Sequence, residues 1–273
     1  MTKPLRHYAA AILASLGFAP PASATTFSID YTDLWYAAPA ESQAGWGVNV
    51  IQQSEVLFVT LFVFGVDNTP RWYVASNVAS TSQTTFSGTL FNVGTGTYLG
   101  APWTGISNVQ TVGNIAFNFS SATTGTMTYT VNNVQVTKNI VRQSWRNDVL
   151  SGNYIGGTTA RGSSCSGNGG ILVSGELTVT HNNPSISMIV DFVNSIGQNG
   201  RCTYSGNYSQ LGSIGAINGG SFNCTIGGVT NALVGTYSIA EITNSRNGFN
   251  GRFTGQDQFC SYTGFFGGIR DVF

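Results

Sequence analysis

An all-β protein built from two tandem eight-stranded up-and-down barrels is the fold the sequence predicts, with a β-sandwich as the alternative. Three observations predict it. Short segments of alternating character, divided by Gly, Asn and Pro, recur along the chain, and no helical periodicity of useful length interrupts them. The segments number eight in each half. All five tryptophans (Trp35, Trp46, Trp72, Trp103, Trp145) precede residue 146, and all four cysteines (Cys165, Cys202, Cys224, Cys260) follow it. That partition places a boundary near 147–151 and gives a Trp-rich domain over 25–147 and a disulfide-bonded domain over 148–273, each of ordinary domain size.

In the first half the spacing predicts strands at 30–38, 45–53, 55–65, 70–79, 84–93, 113–121, 124–132 and 134–145. Met127, Tyr129 and Val131 alternate with Thr126, Thr128 and Thr130, the pattern of a half-buried strand. Asn132-Asn133 supplies residues that tolerate the positive φ of a tight hairpin. The glycine-rich segment 94–112 is the one long loop. In the second half strands are predicted at 152–159, 171–182, 185–196, 200–211, 213–226, 231–244, 248–256 and 260–270. Their clearest turns are Asn182-Asn183-Pro184, 197–200 and 244–248. Sequential strands joined by short turns favour an up-and-down barrel, because closure removes exposed edges.

The N-terminus carries Lys3 and Arg6, an apolar stretch over 9–19, and Ala22-Ser23-Ala24. These are the three parts of a secretory signal peptide, 1–24. The apolar stretch is far short of the ~20 residues of a transmembrane helix. Cleavage leaves 249 residues carrying nine basic against eleven acidic side chains, a net charge of −2. That balance offers no footprint for nucleic acid or an anionic membrane surface. Charged residues are 8% and hydrophobic ones 41%, a composition of a folded β-protein outside the cytoplasm rather than of a disordered chain. A periplasmic or secreted location in a Gram-negative bacterium is expected.

Four cysteines in an exported chain read as two disulfides. Cys202 and Cys224 lie symmetrically about Ser213, so a hairpin turning there sets them opposite each other. Cys165 with Cys260 would tie the early part of the domain to its last strand. The alternative pairing is Cys165–Cys202 with Cys224–Cys260.

Catalytic chemistry finds little support. After signal cleavage His181 is the one histidine, read here as a solvated turn residue; a nucleophile triad needs a histidine held by a carboxylate. A zinc site needs three or four ligands. No phosphate-binding loop leads into a helix. The eleven acids are scattered singly, and Glu241 is expected to meet Arg252 or Arg270 as a structural ion pair. The expectation is a protein that is not an enzyme and needs no cofactor.

The stretch Leu34-Trp35, Pro39, Glu41-Ser42, Gly45-Trp46-Gly47 and Pro70-Arg71-Trp72-Tyr73 resembles a motif of exported proteobacterial β-proteins of unknown function, which usually read W–P–ESGWG, an apolar strand, then G–P–W. Here Gln43-Ala44 is inserted before Gly45. The segments 112–143, 202–210 and 251–270 look like the same family, which supplies no catalytic residue. In architecture the halves are similar to avidin and lipocalin barrels. Those set an aromatic of the first strand against an arginine of the last, which implies Trp35 against Arg142 and Tyr154 against Arg270.

Two non-enzymatic functions remain. One is binding of an uncharged small molecule or glycan in an aromatic barrel mouth, with Trp46, Trp72, Tyr73 and Trp103 as candidates and Asn49 and Glu41 as polar partners. Trp46 and Trp72 open strands two and four and so share one end. The 94–112 loop is expected to leave at the opposite end and to fold back. The other function is a surface or adhesion module acting through assembly. Its support is Val56–Phe64, apolar on both faces where a barrel needs one apolar face. Its outer face is expected to be covered by the second domain or a second copy of the chain, which would make a homo-oligomer.

Overall fold

The computed structural model describes residues 29–105, 108–163, 165 and 170–271. The segment 1–24, expected as a signal peptide, lies outside the described residues. No helix occurs among them. Sixteen strands run in order: β1 (Asp33–Ala37), β2 (Gly47–Gln53), β3 (Val56–Phe64), β4 (Pro70–Ser80), β5 (Thr85–Thr95), β6 (Asn108–Phe119), β7 (Thr124–Val131), β8 (Val134–Arg142), β9 (Gly152–Ser163), β10 (Gly170–Asn182), β11 (Ser185–Val193), β12 (Asn199–Leu211), β13 (Ile214–Ile226), β14 (Val229–Ser245), β15 (Gly248–Asp257) and β16 (Ser261–Arg270). β1–β8 and β9–β16 form two separate closed antiparallel barrels, each strand paired with its sequence neighbours and the last with the first. The chain is therefore two tandem up-and-down barrels, and the sandwich alternative falls because neither sheet has an edge.

Each barrel closes at a seam where Trp35 lies opposite Arg142 and Tyr154 opposite Arg270. Alternation decides what fills the interiors. In β7 Met127 and Tyr129 point inward and are buried, while Thr126 and Thr128 face out. At positive φ, Asn132 and Asn133 make the tight turn into β8. The lower end of the first barrel is an aromatic stack in which Tyr31 lies on Phe119 with ring centroids 3.8 Å apart. The middle of the second is filled by Tyr204, whose ring meets Phe266 at 5.1 Å and Tyr237 at 5.4 Å. The Tyr204 hydroxyl shares a 3.0 Å hydrogen bond with Thr158.

Cys202 and Cys224 are directly opposed in β12 and β13 and form one disulfide; Cys165 and Cys260 form the other. The first staples a hairpin inside the core, and the second ties the segment after β9 to the start of β16.

Three expectations are corrected. β6 begins at Asn108 and β5 runs to Thr95, so the 94–112 loop shrinks to the connection at 96–107. Register shifts between Val93 and Thr95 absorb the glycine there and keep the ladder going. That connection emerges at the same end as the β3–β4 turn, because odd-strand ends and even-strand starts share one end of an antiparallel meander; no folding back is needed. His181 is not a solvated turn residue. It is 5% exposed; the inter-barrel linker packs over it and the Leu150 N–H donates to its Nδ1 at 3.3 Å.

The outer face of β3 is not covered by the second barrel. Phe58, Phe62 and Phe64 remain 41%, 44% and 55% exposed. The second barrel instead docks at the lower end of the first, where its Gly212–Ser213 turn meets Asp33, Arg142 and Ser144. Glu241 pairs with Arg252 at 2.7 Å rather than with Arg270, at a register shift between Ala240 and Thr243 where Glu241 takes a positive φ.

Candidate functional site: the mouth of the first barrel

At the upper end of the first barrel the inward side chains change from aliphatic to amphipathic. Leu61 and Val63 of β3 lie opposite Tyr73 and Arg71 of β4. Tyr129 and Val131 rise on β7, opposite Val136 and Val134 of β8. The result is a cavity of about 500 Å3 lined by Val63, Tyr73, Asn92, Tyr129, Val131 and Val136, with Phe64, Asp67, Arg71 and Asn132 at its rim. Cavities of this size hold small organic ligands.

Behind the cavity wall, Trp46 is buried and donates from Nε1 to the Tyr129 hydroxyl at 3.4 Å. Its indole is capped by Lys138, whose Nζ lies 6.0 Å from the ring centroid and donates to Gln43 Oε1 at 2.7 Å. Burial pushes the Tyr129 phenol above its ordinary value; the Trp46 bond opposes this and the neighbouring Tyr73 adds to it. Tyr129 therefore offers a neutral hydroxyl to the mouth at physiological pH.

The rim carries one charge of each sign, and they cancel. Arg71 Nη2 donates to Asp67 Oδ2 at 2.7 Å. The Thr69 hydroxyl and N–H donate to Asp67 Oδ1 at 2.8 and 3.2 Å. The Thr69 bonds, with the Arg71 charge, hold the Asp67 carboxyl below the usual carboxylate range. The mouth thus sets its two paired charges beside two tyrosine rings.

The residues expected at this site are only partly brought together. Tyr73 lines the cavity, and Trp46 supports it through Tyr129. Trp72 points away from the interior: it pairs with Phe62 on the outer face and is 49% exposed. Trp103 sits in the 96–107 connection at 69% exposure, at the right end but not on the cavity wall. Asn49 faces outward opposite Thr60 on β3. Glu41 is exposed in the β1–β2 connection with φ +64°. Tyr129, Asn92 and the Asp67–Arg71 pair were missed. The alternation of Met127, Tyr129 and Val131 carried the signal for Tyr129: a polar-tipped aromatic near the end of an inward stripe lies close to a barrel mouth.

The two seams are built alike. The Arg142 guanidinium lies 5.0 Å over Trp35, and that of Arg270 5.0 Å over Tyr154, whose hydroxyl accepts from Arg270 Nη2 at 2.9 Å. These groups close the barrels. Among the described residues no group of three His, Cys, Asp or Glu side chains is arranged to hold a metal ion. No known protein family, curated protein or solved structure matches this chain.

Proposed function

We propose that this is an exported, non-enzymatic binding protein whose first barrel takes an uncharged small molecule or short glycan in its mouth. One observation carries the reading. The cavity of about 500 Å3 sets two tyrosines and a planar amide, Tyr73, Tyr129 and Asn92, among aliphatic walls, with its rim charges neutralised by each other. Aromatic rings bind the apolar faces of sugars and similar neutral molecules by burial, while the phenol and amide groups satisfy hydroxyls. Export is supported by the signal-like sequence over 1–24 and by two disulfides, which persist in oxidising compartments. In the second barrel the same kind of interior is packed with rings, so it serves as a rigid partner rather than a second receptor.

The test is a calorimetric screen of neutral mono- and disaccharides and small neutral metabolites, followed by Tyr73→Ala and Tyr129→Ala. Each change is expected to weaken binding by roughly tenfold or more, the effect of removing about 1–3 kcal/mol of ring burial. Trp72→Ala on the outer face is expected to leave affinity unchanged. A ligand whose affinity ignores both tyrosine changes would place binding elsewhere.

A further inference from the structure

The first barrel is two-sided on its outside. On β2–β4, Ile51 lies opposite Phe58 and Phe62 opposite Trp72, all between 41% and 49% exposed, with Phe64 beyond them at 55%. Between these rungs Asn49, Thr60, Val74 and Phe91 form a lower row, each half-buried. β2–β5 contain a single charged residue, Arg71, and it is bonded to Asp67 at the mouth. Around the barrel on β5–β8 the outward rows read Thr85, Asn118, Thr126, Asn139 and Ser87, Ala116, Thr128, Thr137. One flank is aromatic and uncharged; the other is hydroxyl and amide.

We propose that the aromatic flank of β2–β4 is the interface of a homodimer, in which two first barrels pack face to face. A closed barrel offers no strand edge, so a partner cannot add a strand and must use a face. A bilayer-spanning barrel needs an apolar band all the way round, and the Thr/Asn flank breaks it. Anionic lipid surfaces attract basic clusters, and this flank has none. A second copy supplies the same uncharged aromatic surface, which suits a self-complementary contact. Thr60 is the middle residue of β3, with Phe58 and Phe62 two residues to either side. A two-fold axis crossing the strand at Thr60 lays Phe58 over Phe62 of the partner subunit.

The area agrees. At a little under half exposure, the five side chains present on the order of 400–500 Å2, taking whole aromatic side chains at roughly 150–250 Å2. Two copies with their flanking residues then reach the roughly 1,200 Å2 at which stable interfaces begin. The inference is independent of ligand binding at the mouth, and it gives the interaction-module reading a defined partner.

The experiment is sedimentation equilibrium on the mature chain, from micromolar to several hundred micromolar, alongside Phe58→Glu/Phe62→Glu and Thr60→Cys. The wild type is expected to dimerise. Placing unpaired charges in the contact is expected to weaken it by roughly 100-fold or more while leaving the circular dichroism unchanged. Thr60→Cys is expected to give a covalent dimer with a bis-maleimide whose arm spans the roughly 10 Å between facing sheets, which decides the matter even if the double variant fails to fold. A wild type that stays monomeric throughout, or a dimer that neither variant affects, overturns the proposal. So does a monomer that co-sediments with neutral phosphatidylcholine vesicles, which assigns the flank to lipid.

Discussion

One carboxylate oxygen of Asp33, in the first barrel, accepts both the backbone N–H and the hydroxyl of Ser213, in the second, at 2.8 and 2.9 Å across 180 residues of sequence. The same oxygen accepts from Arg142 at 2.9 Å. Two independently closed barrels thus share this anion, beside the bonds that Arg142 and Ser144 make to the same turn. The turn that reaches it can do so only because Gly212 carries no side chain. A Cβ at Gly212 would lie 2.3 Å from that oxygen and 2.6 Å from the Arg142 Cβ, at a backbone φ of +60°.

Gly212→Ala is therefore expected to separate the barrels without unfolding either, at a cost of about 1–3 kcal/mol. Small-angle scattering should show a larger radius of gyration while circular dichroism stays the same. An unchanged radius would mean that the contact does not set the arrangement.

Arg142 is expected to be the costliest single side chain to remove from the first barrel. Its side chain is fully buried and donates to Ala122 O at 2.6 Å, to Thr32 O at 3.1 Å, to Asp33, and to the Asp30 carbonyl. Burial lowers its pKa, and the Asp33 bond and charge oppose that. Arg142→Ala strands these acceptors and is expected to cost about 3–5 kcal/mol. By contrast, Arg252→Ala breaks a partly exposed pair with Glu241 and should cost about 1 kcal/mol or less. Urea midpoints of the two variants compare them directly.

Reduction is expected to weaken the second barrel alone. On the chain-entropy relation the Cys202–Cys224 bridge contributes about 3–4 kcal/mol and the longer Cys165–Cys260 bridge about 4–5. All five tryptophans precede residue 146, so indole fluorescence follows the first barrel and its linker. With reductant present, circular dichroism should lose part of its signal at lower urea than fluorescence does. Coincident transitions would show that the barrels unfold as one unit.

Acid is expected to loosen the linker through His181. Nδ1 accepts the Leu150 N–H, the ring lies 4.7 Å edge-on against Tyr208, and Nε2 has no partner among the described residues. Burial lowers the imidazole pKa below its ordinary 6.5. The neutral form is thus favoured in the fold, and below 6.5 the unfolded chain takes up the proton first. The stability from His181 is complete above that pH and falls as pH drops from 6.5 towards the lower folded value. His181→Phe, with no proton to take up, should flatten this part of the pH–stability curve; an unchanged slope would assign it to other groups.

What the sequence made legible followed from local chemistry. Met127, Tyr129 and Val131 showed their strand by alternation, Asn132-Asn133 showed the turn, and the symmetry of Cys202 and Cys224 about Ser213 showed the stapled hairpin. Trp72 was misplaced because β3 is apolar on both faces. With Leu57, Val59 and Leu61 on one side and Phe58, Phe62 and Phe64 on the other, alternation gives no phase, and β4 inherits the ambiguity. Nothing local to His181 announces its burial, which depends on Leu150 arriving from the linker. Tyr73 and Trp46 lie at the end of the barrel that holds the cavity, whereas Tyr129, which lines it, read only as one face of a half-buried strand.

The chain ends of each barrel emerge side by side, and this sets how the molecule bears load. A pull along the chain would open the β1–β8 seam one rung at a time, like a zipper, so the first barrel yields at low force and pays out its whole length. The second follows only in part, because β9 and β16 lie outside the loop that the bridge closes and their seam peels open until it reaches the sulfurs. Its Cys165–Cys260 bond shorts out 95 residues of sequence separation, roughly 310–340 Å of extended chain at about 3.3–3.6 Å per residue. Under tension the protein behaves as two springs in series, the second stopped short at its bridge, and reductant lengthens it.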